Sequence, residues 1–438
     1  MQNTDTARPL VVVGASAAGL AAVEAARESG YEGPIVLLNA EDRAPYKRTK
    51  ISKTMIDSPT RDAFALHEPA WYEEQRVEFR PRSTVLAVHE AEQHISLDDG
   101  SALPYGALVL ALGAEPVSPG VEGLEEARVY APYTQAETER LTAFVTSRLQ
   151  ETGSASVALI GCGITSLEIA DQLVKMGAEV TLFGRGQRLM RGALDETLQT
   201  RLRDKVQAAG VTLYENRIVR ALRSEGEATT LIHTPPEVVD ASLTGVLNAA
   251  QEAEPTARAG SGAELTVDAV VVACGLRPRS IPGVAATHAG IPVDRTLRVP
   301  GHGPVFACGD CARHPDGRIT WLWRDAKRQG AVAGRNAAFE LSGSSSFHEY
   351  SYVPFRLKAS VFGDYYFSIV AAGFEFLEHD ASPATLVHED HDRYRALWER
   401  DGRVVRIVMA NDKEHADLYM EAVVDGWSLE RLAKTLVS

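Results

Sequence analysis

Two short turns of small residues, Gly14-Ala15-Ser16-Ala17-Ala18-Gly19 and Gly161-Cys162-Gly163-Ile164-Thr165-Ser166, carry the clearest chemistry in the sequence. Each follows an apolar run, Leu10–Val13 or Ser156–Ile160, and opens a helical stretch, Leu20–Arg27 or Leu167–Met176. A strand–turn–helix of this composition presents backbone N–H groups at the positive end of a helix, which is a binding site for phosphate. Gly14 permits the tight turn, Ser16 is small enough for the backbone to approach a pyrophosphate, and Gly19 lets helix and strand pack closely. A second apolar run, Ile35–Leu38 or Glu179–Phe183, completes each βαβ unit. Two such units in one chain imply two dinucleotide sites.

The ends of the two units differ. The first closes on Asn39-Ala40-Glu41, where Glu41, or Asn39 beside it, is placed to bond a ribose hydroxyl. The second closes on Gly184-Arg185-Gly186-Gln187-Arg188, with no carboxylate. A carboxylate there accepts from a ribose 2′-OH, whereas an arginine favours a 2′-phosphate. The second site therefore reads toward NADPH. The alternative is a solvated Arg185/Arg188 pair, with NADH held through the backbone.

The elements that must position these turns follow from the whole chain. A length of 438 residues exceeds one hydrophobic core and suggests two to four domains. A hydrophobic share of 45% and a charged share of 24% exclude wholesale disorder and fibrous repeats. The balance of 45 basic to 59 acidic residues, net −14, disfavours nucleic acid and anionic membranes, and disfavours acidic protein partners unless a local basic patch exists. No apolar run is long enough to cross a bilayer, and the polar Met1–Pro9 lacks a secretory pattern, so a cytoplasmic setting is expected. Helices are expected over Ala131–Leu149 and Leu198–Ala209, and short strands over His89–Ala114. Residues 235–263 read as a surface insertion, partly helical near Val246–Glu252 and otherwise mobile, and Ser342–Ser346 reads as a linker. Beyond the linker, Tyr350–Phe376 is strand-rich, Trp398–Met409 reads as a hairpin around Asp401-Gly402, and Ala416–Val424 and Ser428–Leu436 read as helices.

Four further segments are Pro45-Tyr46-Lys47-Arg48-Thr49-Lys50-Ile51-Ser52-Lys53, Leu108–Ala114, Asp268–Gly275 and Val305–Asp310. With the two turns, in this order, the chain resembles the FAD-dependent pyridine nucleotide–disulfide oxidoreductase superfamily, most closely its ferredoxin- and rubredoxin-reductase branch, over roughly residues 8–340. The resemblance implies an α/β fold with two Rossmann-like dinucleotide-binding domains, each a three-layer ββα arrangement, plus a C-terminal α+β interface domain. It implies an FAD domain over 1–120 and 284–342, an NAD(P)H domain over 121–283, and the interface domain over 343–438, where a homodimer contact is possible. The implied FAD residues are Gly14, Ser16, Ala17, Ala18, Gly19, Glu41, Arg48, Lys53, Leu112, Gly113, Gly309, Asp310 and Trp323. The implied NAD(P)H residues are Gly161, Gly163, Ile164, Thr165, Glu168, Arg185, Arg188 and Gly275. Thr49 and Lys50 replace two prolines of the family's loop.

A reduced flavin carries negative charge near its N1–C2=O edge and receives hydride at N5, so a nearby cation stabilises it. Lys53 is the expected cation, and Glu168 matches a family glutamate that pairs with this lysine. The alternative is a helix-terminal acid and a surface lysine. Trp323 matches a position beside the flavin ring or, alternatively, packs at a domain junction. No cysteine lies within 40–60, and Cys308-Gly309-Asp310-Cys311 overlaps the FAD element, so neither a thiol relay nor a metal site is expected. The implied activity is hydride transfer from NADPH (or NADH) to FAD, then electron delivery to a ferredoxin- or rubredoxin-type protein or a small acceptor. The rivals are an NAD(P)H oxidase or small-molecule reductase, and a redox-sensing interaction protein resembling apoptosis-inducing factor.

Overall fold

The computed structural model describes residues 8–55, 64–235, 262–287, 289–377, 383–390 and 392–437. The insertion expected at 235–263, with its helical stretch, falls outside the described residues over 236–261. Contacts group the chain into two compact units: Met1–Lys50, Ser58–Glu115 and Leu276–Ser351 form the first, and Ile51–Asp57, Pro116–Gly275 and Tyr352–Ser438 the second. The C-terminal segment thus groups with the segment expected to hold the nicotinamide.

In the first unit, five parallel strands stand in the order Val305–Ala307, Ala107–Leu110, Leu10–Val13, Ile35–Leu38, Val77–Arg80. The three central strands are buried at every residue, as continuous Val/Leu/Ile runs require when both faces are covered. An antiparallel sheet of Val85–His89, His94–Leu97 and Ala102–Pro104 supplies a second layer. Two helices, Ala17–Glu28 and Trp323–Leu341, pack on one another at very close range. A Cβ at Gly330 would lie 2.0 Å from the Ala18 carbonyl oxygen, and one at Gly334 would lie 2.0 Å from that of Ala22. Small residues spaced four apart on both helices are what allow this approach.

The second unit repeats the design. Its parallel sheet runs Thr212–Tyr214, Glu179–Phe183, Ser156–Ile160, Ala269–Val272, Val129–Tyr130, beside an antiparallel sheet of Ile218–Glu225, Ala228–Thr234 and Ala263–Val267. The helix expected over 131–149 spans Gln135–Thr152, because Thr134 accepts the Glu137 amide and sets its start. The helix expected from Leu198 begins at Glu196, because Asp195 accepts the Leu198 amide. The C-terminal segment is α+β. Its antiparallel sheet runs Phe355–Val361, Tyr365–Ala371, Arg403–Ala410, Tyr394–Arg400, Leu386–Glu389, with helices Ala416–Val424 and Leu429–Val437. Its own core includes Val370, Leu397, Ile407, Tyr419 and Trp427. The hairpin expected around Asp401-Gly402 is present, with positive φ at both residues.

Candidate functional site

The two small-residue turns have the same backbone geometry. Gly14 and Gly161 have φ of +102° and +125°, a region that favours glycine. Each donates its amide to the end of its second strand, Gly14 to the Leu38 carbonyl and Gly161 to that of Phe183, both at 2.9 Å. A Cβ at Gly14 would lie 2.2 Å from the Ala111 carbonyl oxygen, and one at Gly161 would lie 2.4 Å from that of Ala273. At the third position the copies diverge. A Cβ at Gly19 would meet the Gly14 oxygen at 1.7 Å, whereas Ser166 fits and donates to the Ala273 carbonyl at 3.2 Å.

Neither turn is closed by the chain itself. Ser16 and Gly163 stand at the helix N-caps, and neither provides a side-chain cap, in contrast to Thr134 and Asp195 elsewhere in the molecule. The amides of Ala17, Ala18 and Gly19, and of Ile164 and Thr165, therefore begin their helices without a side-chain acceptor. At Gly163 φ is −82°, and an added Cβ would meet nothing within 4 Å. The chain's own packing does not demand glycine there, and the space beside it is open. These features fit a pyrophosphate at each turn.

Around the first turn, the structure gathers most of the expected FAD residues. Asp310 follows Gly309, whose φ is +76° and whose amide donates to Gln329 Oε1 at 2.7 Å. Gln329 Nε2 in turn donates to Thr320 Oγ1 at 3.0 Å. The Asp310 Oδ1 is enclosed and has no hydrogen-bond partner among the described residues. Desolvation pushes its carboxyl up to about 6 from 3.8, against the pull of Arg48 and with a further push from Asp325. An enclosed, unpartnered acceptor beside a phosphate-binding turn fits a hydroxylated chain such as the ribityl of FAD. Glu41 accepts from Tyr46 Oη at 2.9 Å and from Arg48 at 2.5 Å, so both its oxygens are already engaged. Leu112 and Gly113 follow the strand Ala107–Leu110, with φ of +69° at Gly113. Trp323 is the first residue of its helix and packs, half-buried, against the core of this unit.

The paired cysteines of this region are structural. Cys308 and Cys311 are both fully buried. Burial raises both thiols, that of Cys311 to about 11 even though the Leu112 and Gly113 amides approach its sulfur. The Cys311 Sγ lies 3.4 Å from the carbonyl oxygens of Leu110 and Cys308. Neither thiol has the lowered pKa a nucleophilic cysteine needs. Cys162 is pushed up to about 12 by burial, and its sulfur would lie 2.7 Å from a Cβ at Gly184.

Around the second turn, Arg185 is exposed on the bend after Phe183 and has no ion pair among the described residues. Arg188 lies 4.0 Å from Glu196. A carboxylate not singled out from the sequence stands on the neighbouring strand end: Glu215, which accepts from Arg203 Nε at 2.8 Å and from Nη2 at 2.9 Å. Thr165 is exposed, and Gly275, with φ of +135°, accepts the Val117 amide at 3.1 Å.

The same unit brings Lys53 to Glu168. Glu168 is buried at the fifth position of the helix Ile164–Met176, just past its first turn, and its Oε1 lies 3.3 Å from Lys53 Nζ. Ser52, quoted in the sequence motif but given no role there, donates its hydroxyl to Glu168 Oε2 at 2.6 Å. Burial raises the Glu168 carboxyl, and Lys53 and Ser52 pull it back. One turn further along the helix, buried Asp171 accepts the Phe362 amide at 2.8 Å and Lys175 at 2.7 Å.

The chain belongs to the pyridine nucleotide-disulphide oxidoreductase family, whose description matches residues 8–330. It is 31% identical over 348 residues to the anthranilate 1,2-dioxygenase system ferredoxin–NAD(+) reductase component of Burkholderia cepacia, covering 76% of each chain. It is 29% identical to rhodocoxin reductase of Rhodococcus erythropolis, covering 77% of this chain and 73% of that one. In fold it is similar to the ferredoxin reductase for the CYP199A2 system from Rhodopseudomonas palustris, with a TM-score of 0.79, 20% identity and 96% of each chain covered. The chain is thus an FAD-dependent oxidoreductase that acts with a pyridine nucleotide.

Proposed function

We propose that this protein takes reducing equivalents from NADPH, or from NADH as its relatives' names have it, into FAD and passes them to a ferredoxin- or rubredoxin-type electron carrier. The duplicated, uncapped turn carries the reading, because one chain with two pyrophosphate sites holds an electron donor and an electron store together. The names of its relatives supply the acceptor class: the Burkholderia protein is named for a ferredoxin, and a Pseudomonas putida relative, 25% identical, is a rubredoxin–NAD(+) reductase. A cytoplasmic setting, shared with such carriers, belongs to the same proposal; among the described residues no helix is long and apolar enough to cross a membrane.

When bound, FAD supplies the chemistry of accepting hydride from a dihydronicotinamide and releasing electrons to an acceptor. The chain's contribution is binding and electrostatics. The amides of Ala17, Ala18 and Gly19 hold one pyrophosphate, and those of Ile164 and Thr165 the other. Asp310, with its enclosed oxygen, holds the ribityl chain, and Arg48 limits the cost of charge there. Lys53 supplies the positive charge that favours the reduced ring, and Ser52 and Glu168 fix the direction of its side chain. Arg185, exposed and unpaired at the end of the second strand, meets the 2′-phosphate. Glu215 is occupied by Arg203 and does not compete for a ribose hydroxyl.

The acceptor is tested with a panel at fixed NADPH: a [2Fe–2S] ferredoxin, a rubredoxin, menadione and dioxygen. The reading expects the two proteins to be reduced faster than dioxygen. Rapid oxygen consumption with no gain from either protein would establish an oxidase instead.

A further inference from the structure

We propose that Arg324, Lys327 and Arg328, on the first turns of the helix Trp323–Leu341, form the docking face for an acidic electron-carrier protein. The proposal deepens the reading above and rests on it. Positions three and four apart on a helix are neighbours, so the three cations share one face. All three are exposed, while Asp325, Ala326, Gln329 and Gly330 of the same turns are buried.

Arg324 and Arg328 ease the charge of the buried Asp325 between them, but at each other's spacing the three cations work against the helix. Like charges at these spacings repel, and cations near a helix N-terminus oppose the helix dipole. Among the described residues, none of the three has an ion pair or hydrogen bond. Other arginines of the molecule are tied: Arg48 to Glu41, Arg148 to Asp268, Arg203 to Glu215, and Arg298 to Glu340 on this same helix. In a chain of net charge −14, three neighbouring unpaired cations form a local reversal of the general field. An acidic protein repelled by the rest of the surface is steered to such a patch.

The patch is also placed for electron transfer. The buried side of the same turns bears Gln329, whose Oε1 holds the Gly309 amide at 2.7 Å, and Asp325, which accepts from Tyr350 Oη at 2.7 Å. Gly309 and Asp310 form the strand end assigned above to FAD. The cationic face and the side that holds this region are thus opposite sides of the same helix turns. Each NADPH oxidised supplies two electrons, reduces two one-electron [2Fe–2S] carriers and releases one proton to solvent.

The experiment uses the FAD-loaded full chain, an acidic plant-type [2Fe–2S] ferredoxin as the probe and menadione as an uncharged acceptor. Parent, R324E/K327E/R328E and R324Q/K327Q/R328Q are compared from about 50 to about 500 mM NaCl. With ferredoxin at low salt, kcat/KM is expected to fall about tenfold or more in the Glu variant and less in the Gln variant, and the three proteins converge at high salt. With menadione all three stay within about twofold of one another, because an uncharged acceptor is not steered. Ferredoxin turnover that is equal in all three proteins at low salt overturns the docking face and leaves the electron-carrier reading standing. A parent that reduces menadione but not the ferredoxin at any salt overturns that reading for acidic carriers, and the docking face with it.

Discussion

The hydroxyl of Ser52 donates to Glu168 Oε2 at 2.6 Å, joining residues 116 apart in the chain. Glu168 is buried, and its other oxygen faces Lys53 Nζ at 3.3 Å. The serine therefore orients a carboxylate that orients the lysine. Replacing Ser52 by Ala removes one of the two influences that oppose the burial of Glu168. The Glu168 carboxyl rises further, so the carboxylate that holds Lys53 forms only at higher pH. Stopped-flow flavin reduction in S52A is expected to be about five- to tenfold slower near neutral pH, the loss of one charge-assisted hydrogen bond, and its pH profile to shift upward. A Cys or Thr at this position, able to donate again, should recover part of the rate; an unshifted profile in S52A removes the role.

Lys53→Ala tests the cation directly. Deleting one preorganised charge typically costs about 100-fold in rate, and flavin reduction should slow by about that factor. FAD should remain bound, because the pyrophosphate turn at Gly14 and the enclosed oxygen of Asp310 lie in the other unit of the chain. Visible flavin content and the reduction rate, measured on one preparation, separate the two effects.

Asp310 sets stability against cofactor binding. Its folded carboxyl, about 6, lies above the ordinary 3.8. The folded state thus holds the proton more tightly than the unfolded chain, and the stability this brings is present below about pH 4 and lost as pH rises through about 6. In flavin-free protein, D310N should match the parent at pH 4 and exceed it by about 1–2 kcal/mol at pH 8, the full shift being discounted because the residue is partly exposed. Urea unfolding at both pH values checks this. The same variant should bind FAD more weakly, so the two effects have opposite signs.

Arg185→Glu tests nucleotide choice. Replacing a cation that meets the 2′-phosphate by a carboxylate loses an ion pair and adds a repulsion. The kcat/KM for NADPH should fall about 50-fold while that for NADH holds or rises. The relatives named for NAD(+) make the opposite result informative: if the parent already prefers NADH, Arg185 is a solvated residue.

Much of the fold was legible because its main signals are local. The strand, turn and helix at Leu10–Glu28, and again at Ser156–Met176, follow from buried apolar runs and small residues read in order. Helix starts at Gln135 and Glu196 depended on Thr134 and Asp195, capping residues whose weight shows only once the amides that donate to them are seen. The site was legible as residue types and less so as contacts. Nothing local links Ser52 to Glu168, or Glu215 to Arg203, since each contact is made by tertiary packing. The same holds for Gly330 and Gly334, whose need for glycine comes from the carbonyls of Ala18 and Ala22 on a distant helix. The spacing of Cys308 and Cys311 suggests redox chemistry, and only their burial shows thiols pushed up rather than activated.

The most direct test of the central claim is an anaerobic stopped-flow measurement on the purified protein, following flavin absorbance after mixing with one equivalent of NADPH. Two dinucleotide sites in one functional unit predict a yellow protein that bleaches fully at stoichiometric reductant. It should bleach at a rate that saturates with NADPH concentration. A preparation that binds FAD but stays yellow with both NADPH and NADH would contradict the account.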